Sequence, residues 1–316
     1  MSCYCFFMWG AAIGLVAGRI GPSLAQNIFG LRPDAPERLP LPSPWPGVVR
    51  VDRGLRYGDH PRQRFDLLRP PSSQRGPYPG VVLFHGGGFA RGHRNHVSGI
   101  GRALASRGFT VLSAGYRLLP QHDIGEIVAD ALSMTKHAYN GASDFELDPA
   151  RLATMGRSAG GHLALMAAYT ADVPVRAAIS EAGPTDFDPI MWDGSVRGAV
   201  MQRFSKHADV RGVSPVHMAT MHAPPTLLLH GCRDQNVPFA HSRILQVRLD
   251  TLGVPVQLLA LPRTGHNPIR WRWRVTMAAV YHWLEQHLQR ADAKHDAAAS
   301  VARPTLVGDA DSRISG

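Results

Sequence analysis

Short apolar runs rich in β-branched residues alternate with longer helical patterns from Val48 onward. The predicted strands are VVRVDRGLRY (48–57), RFDLLRP (64–70), GVVLFHGGG (80–88), FTVLSAGYR (109–117), RLATMG (151–156), VRAAIS (175–180), TLLLHG (226–231) and VQLLALP (256–262). Helical spacing occurs near 96–107, 124–139, 158–170, 239–252 and 269–289. This alternation predicts an α/β fold with a mostly parallel central sheet of about eight strands and helices on both faces. The first two strands are predicted to form an antiparallel hairpin.

The N-terminal region has the pattern of a targeting segment. Residues 3–18 (CYCFFMWGAAIGLVAG) are apolar over about the length of a signal-peptide core, and the small residues Ser23 and Ala25 precede Gln26. We therefore expect residues 1–25 to direct export, to the periplasm or outside the cell, with cleavage after Ala25. The alternatives are membrane association through residues 3–18, or a cytoplasmic protein with a misassigned start.

Composition divides the rest of the chain into three parts. Residues 26–47 are proline-rich, which predicts an extended linker because proline cannot sustain a helix or a full strand ladder. Residues 48–290 are predicted to form one catalytic domain, and the Ala-, Asp- and Ser-rich residues 291–316 a flexible tail. Residues 181–222, the longest connection without a clear strand, are a candidate lid or binding loop.

Charge and cysteine content restrict the classes of partner. The chain has a formal net charge of +10, but nearly all of its 34 basic residues are arginines scattered among acidic ones. We therefore expect mainly an effect on solubility and the surface field, with a preference for anionic partners as the alternative, and no nucleic-acid site. Cys3, Cys5 and Cys232 form neither a disulfide framework nor a metal-ligand spacing. We expect no metal ion and no organic cofactor.

The segment IRWRWR (269–274) interleaves aromatic and basic residues, a pattern also found in nucleic-acid-binding proteins. At helical spacing, however, Ile269, Trp273, Val280 and Leu284 share one face. We therefore predict an amphipathic C-terminal helix with these residues on its buried side.

The sequence GRSAG (156–160) matches the G-x-S-x-G pattern of a nucleophile elbow, with a predicted strand before it and a predicted helix after it. Glycines on both sides relieve the crowding of a sharp strand-to-helix turn. The simpler interpretation makes Ser158 only the N-cap of the helix, but that does not explain two glycines. We predict that Ser158 is a nucleophile.

A serine nucleophile needs a base and a carboxylate that orients the base. In folds with this elbow, both follow the serine along the chain, in the order acid then histidine, at the ends of later strands. Asp234 follows TLLLHG and His266 follows VQLLALP, which fits that order. Glu181 and Asp186, which end another strand, are the alternative acids.

The glycines of HGGGF (85–89) follow an apolar strand. Without side chains, their backbone can approach a substrate oxyanion, and we predict that the N–H groups of Gly87, Gly88 and Ala159 form an oxyanion hole. The alternative is an ordinary glycine-rich turn, while a phosphate loop lacks its G-K-[ST] signature. We expect His85 to hold this loop and His162 to be a packing residue.

Taken together, these motifs resemble α/β-hydrolases of the HGGG-containing esterase group, which includes hormone-sensitive-lipase-like and feruloyl- and acetylxylan-esterase-like (BD-FAE-like) enzymes. The resemblance spans about residues 48–290 and includes HGGGF, GYRLLPQHDIGEIVADA (115–131), GRSAGGHLAL (156–165), SPVHM…APPTLLLHGCRDQNVP (214–238) and GH (265–266). It implies hydrolysis of small carboxylic esters, of short-chain acyl or acetyl- and feruloyl-type substrates. The implied roles are Ser158 as nucleophile, His266 as base and acid, Asp234 as orienting acid, and Gly87, Gly88 and Ala159 as oxyanion donors.

Departures from the family pattern bear on the substrate. The linker runs almost directly into the first strand, so we expect no large cap domain. Arg157, beside the nucleophile, either faces solvent without effect or favours anionic substrates, and Phe89 and Trp192 are candidate substrate contacts. Two other functions stay open, a peptidase of the prolyl-oligopeptidase type and a non-catalytic binding module. Peptidases of that type normally carry a large N-terminal propeller domain, and the 47 residues before the predicted domain are too few to form one.

Overall fold

The computed structural model describes residues 41–72, 76–192 and 209–288. The expected export signal or anchor (1–25) and the expected tail (291–316) lie outside the described residues, as do most of the linker and part of the 181–222 segment. These expectations stay predictions.

The described residues form one eight-stranded sheet with the order β1-β2-β4-β3-β5-β6-β7-β8. Its strands are β1 (Arg50–Arg56), β2 (Arg64–Arg69), β3 (Tyr78–Phe84), β4 (Thr110–Ala114), β5 (Leu147–Arg157), β6 (Ala177–Glu181), β7 (Thr226–Gly231) and β8 (Val256–Leu261). The β1–β2 and β2–β4 pairs are antiparallel, and all later pairs are parallel. The predicted fold class, including the first hairpin, is confirmed.

Helices cover both faces of the sheet. They are α1 (Ser98–Ala105), α2 (Ile124–Asn140), α3 (Ala159–Thr170), α4 (Pro215–Met218), α5 (Ala240–Thr251), α6 (Pro268–Trp271) and α7 (Trp273–His287), with short 3₁₀ turns at Arg94–Val97 and Pro189–Trp192. Successive side chains of a β-strand point to opposite faces of the sheet, so the core has two parts. In β3, Val82 packs with α2 and α3, while Val81 and Leu83 pack with α1 and α7 on the other face. Both faces of β3 are therefore buried, which explains its continuous apolar run.

The C-terminal helix differs from its prediction. Arg272 has φ −127° and ψ 42°, which is not helical, so the segment divides into the short α6 and the long α7. Ile269, Val280 and Leu284 are buried as predicted, but Trp273 is 38% exposed. The break at Arg272 changes the rotation of the chain, so the predicted 3.6-residue spacing does not carry Trp273 onto the buried face.

Residues 41–47, predicted as the end of the linker, pack against the domain. The Trp45 N–H donates to the Ser106 carbonyl at 2.7 Å, and its ring lies against Gly108 and 6.0 Å from the Tyr78 ring. The Arg107 side chain also donates to the Pro42 carbonyl. The packed part of the chain thus begins before Val48.

Within the described ranges, no separate cap domain covers the carboxyl edge of the sheet. None of the helices in those ranges is long and apolar enough to span a bilayer.

Candidate active site

Three polar side chains come together at the carboxyl edge of the parallel strands. Ser158 follows β5, Asp234 follows β7 and His266 follows β8. Because these strands run in the same direction, the residues that follow them emerge at one edge of the sheet. The structure thus brings the predicted nucleophile, acid and base to one place.

The turn at Ser158 has the strained backbone that the glycines imply. Ser158 has φ 55° and ψ −122°. A Cβ on Gly156 would lie 2.0 Å from the Gly160 carbonyl oxygen, and one on Gly160 would lie 2.3 Å from that of Phe84. Only glycine fits at either position, since real Cβ atoms do not approach a backbone oxygen so closely.

Ser158 also occupies the N-cap position of α3, but its side chain makes no capping hydrogen bond. Its Oγ lies 2.8 Å from Nε2 of His266, and Nδ1 of His266 lies 2.7 Å from Oδ2 of Asp234. The ionised Asp234 can only accept, so Nδ1–H donates to it, and Nε2 is left to accept the serine O–H. This chain of hydrogen bonds can remove a proton from the serine hydroxyl.

His230, which the sequence analysis missed, is a second histidine at Asp234. It is fully buried, and its Nε2 lies 3.2 Å from Asp234 Oδ2 and 3.1 Å from the Val237 carbonyl oxygen. Two acceptors at Nε2 place its hydrogen there, so Nδ1 accepts from the Ser242 hydroxyl at 2.7 Å. The only sequence signal was a histidine inside the apolar run TLLLHG, one turn before the predicted acid.

Asp234 stays ionised despite its position. Burial raises the pKa of its carboxyl group, but hydrogen bonds from His230 and His266 outweigh that effect and hold the pKa well below its usual range. Oδ1 also accepts the backbone N–H groups of Asn236 at 2.8 Å and Val237 at 3.1 Å. The carboxylate is therefore fixed in orientation and carries a full charge towards His266.

The HGGG loop (85–88) lies against the nucleophile elbow. A Cβ on Gly86 would lie 2.9 Å from the Arg157 carbonyl oxygen, so the loop packs on the elbow backbone. Gly87 and Gly88 have φ values of 142° and 62°, which favour glycine. The hydrogen bonds among described residues do not use the N–H groups of Gly87, Gly88 or Ala159, which leaves these donors available to a substrate oxygen.

His85 and His162 occupy the structural positions expected of them. The His85 ring stacks on Tyr116 at 4.2 Å with Nδ1 2.8 Å from the Gly86 carbonyl oxygen, and burial lowers its pKa to about 3. His162 packs between Phe89 and Phe187, donates to the Val213 carbonyl, and has its pKa lowered by burial to about 4. Both imidazoles are neutral at physiological pH, so they act here as aromatic packing groups.

Two sets of hydrogen bonds join the nucleophile elbow to the loop that carries His266. The Arg157 guanidinium donates to the side-chain oxygen of Asn267. Glu181 bridges the same two segments, because its backbone carbonyl accepts from Ser158 N–H and its carboxylate accepts from Ile269 N–H, each at 2.7 Å.

Neither alternative acid contacts His266 in the described structure. Glu181 is engaged with Ile269, and Asp186 accepts the Asp188 N–H at 2.9 Å. Asp234 is the carboxylate that meets the histidine.

A cavity of about 310 Å³ opens above Ser158. Its lining residues are Gly86, Gly87, Gly88, Arg91, Gly92, His96, Val97, Arg157, Ser158 and His266. Within the described part of the chain, no group of three or more His, Cys, Asp or Glu side chains is placed to hold a metal ion.

Phe89 and Trp192, the predicted substrate contacts, lie in the hydrophobic core and not among these lining residues. Phe89 is 1% exposed and Trp192 is 2% exposed. The indole N–H of Trp192 donates to the Asp186 carbonyl, and its ring stacks on Phe187. Both rings are packed in the hydrophobic core, so neither lines the cavity in this conformation.

The sheet order, the elbow serine and the acid and histidine that follow it define an α/β-hydrolase. More specifically, the chain belongs to the BD-FAE family, whose model matches residues 65–249, more than half of the sequence. The resemblance to HGGG-containing esterases is thereby confirmed.

Curated relatives support the same grouping. The chain is 31% identical over 262 residues to Esterase LipC of Mycobacterium tuberculosis, covering 74% of this chain and 64% of LipC. It is 29% identical over 245 residues to isoprenylcysteine alpha-carbonyl methylesterase ICME of Arabidopsis thaliana, covering 70% and 57%. The matched part thus spans about half to two thirds of the length of these relatives.

Solved structures share the fold. A truncated carbohydrate esterase from gut microbiota has a TM-score of 0.65 at 18% identity, covering 78% of this chain and all of that one. The propionate-bound Est2 esterase of Thermogutta terrifontis has a TM-score of 0.61 at 22% identity, covering 75% and 93%.

Proposed function

We propose that the protein is a serine hydrolase that cleaves small carboxylic esters through an acyl-enzyme. The observation that carries this proposal is the position of His266, with one ring nitrogen 2.8 Å from Ser158 Oγ and the other 2.7 Å from Asp234. The names of the curated relatives, esterases and methylesterases, support the choice of an ester substrate.

In the first step, Ser158 Oγ attacks the ester carbonyl carbon while His266 Nε2 takes the hydroxyl proton. Asp234 stabilises the imidazolium that forms. The negative oxygen of the tetrahedral intermediate accepts from the N–H groups of Gly87, Gly88 and Ala159. The C–O bond to the alcohol then breaks, and the alcohol leaves with the proton from His266.

Water carries out the second step by the same route. His266 takes a proton from water, the hydroxide adds to the acyl carbonyl, and collapse of the intermediate returns the proton to Ser158 and releases the acid. A cavity of about 310 Å³ at the nucleophile is at the small end of ligand pockets, so we propose short-chain acyl or acetyl esters. The membership of the BD-FAE family supports feruloyl-type esters as a further part of this proposal.

The test compares Ser158→Ala with the unchanged protein on para-nitrophenyl acetate. We expect kcat/KM to fall by at least about 10⁴-fold, because the variant has no nucleophile. Ser143→Ala is the matched control, since Ser143 is exposed and lies outside the cavity lining. A fluorophosphonate probe should label Ser158, as read by peptide mass spectrometry.

Near-normal hydrolysis by Ser158→Ala would contradict the proposal. Faster turnover of aminoacyl arylamides than of esters would favour a peptidase instead. Failure of both hydrolysis and labelling in the folded protein would favour a non-catalytic binding module.

A further inference from the structure

The cavity at Ser158 is lined by positive and neutral groups. Arg91 and His96 are exposed at its rim, and Arg157 lies next to the nucleophile. The described lining includes no Asp or Glu side chain. Any anionic group on a bound molecule therefore meets cations and no opposing carboxylate at the wall.

Arg91 is the exposed arginine of this lining, whereas Arg157 is half-buried and donates to Asn267. Its backbone belongs to the turn that carries the HGGG loop, since its N–H donates to the Gly87 carbonyl at 3.2 Å, and a Cβ on Gly87 would lie 1.8 Å from the Arg91 carbonyl oxygen. This tight turn holds the backbone of Arg91 next to the predicted oxyanion donors. Its guanidinium makes no hydrogen bond or ion pair with the described residues.

Neither of the two nearby carboxyl groups, Asp234 and Glu181, lines the cavity. Asp234 is covered by His230 and His266. Glu181 is fully buried beneath the elbow, where burial raises its pKa to about 7, so it is partly neutral at physiological pH. The net charge of +10 on the whole chain adds a long-range attraction for anions.

We infer that the preferred substrates are small esters that retain a free carboxylate, such as monoesters of dicarboxylic acids, with Arg91 as the group that binds the carboxylate. Arginine forms charge-assisted hydrogen bonds with carboxylates, and its five donors allow a bidentate contact. This inference rests on the proposed ester hydrolysis and specifies its substrate class.

The test compares monomethyl glutarate with methyl pentanoate, which have the same acyl chain length and differ in the terminal carboxylate. At low salt, we expect kcat/KM to be roughly three- to tenfold higher for the acidic ester, a modest ratio because Arg91 is exposed. Added salt should reduce the ratio towards one. Methanol release gives the rate for both esters.

Substitutions of single residues test whether Arg91 causes the preference for the acidic ester. Arg91→Gln should bring the ratio close to one, and Arg91→Lys, which keeps the charge, should retain most of it. Arg176→Gln is the control, because Arg176 is also exposed but lies just before β6, at the opposite edge of the sheet. It should keep the full ratio. Thermal unfolding of each variant shows whether it is folded.

The possible outcomes separate the two proposals. A ratio of one or less with good turnover of methyl pentanoate overturns the acidic-substrate inference and leaves ester hydrolysis standing. A high ratio that persists in Arg91→Gln and at high salt overturns the role of Arg91. Inactivity on both esters and on para-nitrophenyl acetate overturns the proposed function itself. If only para-nitrophenyl acetate is cleaved, monomethyl glutarate should inhibit its hydrolysis with a lower inhibition constant than methyl pentanoate, and equal constants overturn the acidic-substrate inference.

Discussion

Glu181 places a carboxyl group in the interior, directly behind the nucleophile elbow. It is 0% exposed, and one of its oxygens accepts from Ile269 N–H while the other has no hydrogen-bond partner among the described residues. Burial raises its pKa from 4.5 to about 7, against the opposing effects of the Ile269 hydrogen bond and the Arg157 charge. The protein therefore stabilises the neutral form of this side chain relative to the unfolded chain.

This shift makes the effect of Glu181→Gln on stability depend on pH. In the folded state Glu181 holds its proton up to about pH 7, whereas in the unfolded state it loses the proton near pH 4.5. The ionisation of Glu181 should thus lower the free energy of unfolding of the wild type as the pH rises from about 4.5 to about 7. The glutamine side chain keeps the acceptor for Ile269 and cannot ionise. The stability of the variant relative to the wild type should therefore be greater at pH 8 than near pH 4.5, by on the order of 3 kcal/mol.

Urea unfolding at the two pH values measures this difference. Glu146→Gln is the matched control with the opposite sign, because the Glu146 carboxylate accepts two hydrogen bonds from Arg50, which lower its pKa. That variant should be less stable than wild type at pH 8, and the deficit should shrink as pH falls below the usual Glu pKa. An unchanged difference between Glu181→Gln and wild type at both pH values would argue against a buried neutral carboxyl.

At the scale of elements, the junction of β5 and α3 decides where the proposed nucleophile lies. Gly156 and Gly160 allow the first turn of α3 to fold back onto the end of β5 and onto the neighbouring β3 backbone. The positive φ of Ser158 then points its side chain away from the cap position and towards His266. Local strain at this turn is held by packing from the strands on both sides.

We expect Gly160→Ala to destabilise the protein by more than about 3 kcal/mol, because the new Cβ would lie 2.3 Å from the Phe84 carbonyl oxygen and neither backbone segment can move freely. Gly99→Ala is the control. Gly99 is an exposed residue of α1 with no atom within 4 Å of an added Cβ, so alanine there should stabilise by up to about 1 kcal/mol. Urea unfolding gives both values, and equal effects of the two substitutions would contradict the packing argument.

At the scale of the whole molecule, the segment before β1 is part of the folded body. Trp45 lies against Gly108 in the turn that follows α1, and Leu41 packs against the core on the α1 and α7 face. Tyr281 of α7 also donates to the Ala103 carbonyl of α1. The N-terminal segment and the last helix thus converge on one region of α1.

Two shortened chains test this arrangement. A chain that begins at Leu41 should unfold a few degrees above one that begins at Val48, because the longer chain keeps the half-buried Trp45 ring, a contribution of about 1–2 kcal/mol. Trp45→Ala in the full-length chain should lower the melting temperature by a similar amount. Identical melting temperatures for the two shortened chains would show that residues 41–47 act only as a linker.

Much of the fold and of the candidate site could be predicted because the relevant signals are local. The period of the apolar residues identifies each strand, and Asp234 and His266 follow strands directly, so a parallel sheet must bring them to one edge. His230 could not be predicted in the same way, since its role depends on Asp234 and Ser242 reaching it from other segments. The hydrogen bond from Arg157 to Asn267 could not be predicted either, because it forms only when the end of β5 and the loop after β8 are adjacent in the folded protein.

The α/β architecture, the glycine-bounded turn at Ser158 and the order of serine, aspartate and histidine could all be predicted from the residues alone, because periodicity, glycine and chain order act over short stretches. The folded arrangement was needed to show which carboxylate contacts His266, that Phe89 and Trp192 are core residues, and that Arg91 and Arg157 line a cavity whose described lining has no acidic side chain. Those facts depend on distances between segments far apart in the chain, and close packing of the folded protein sets such distances.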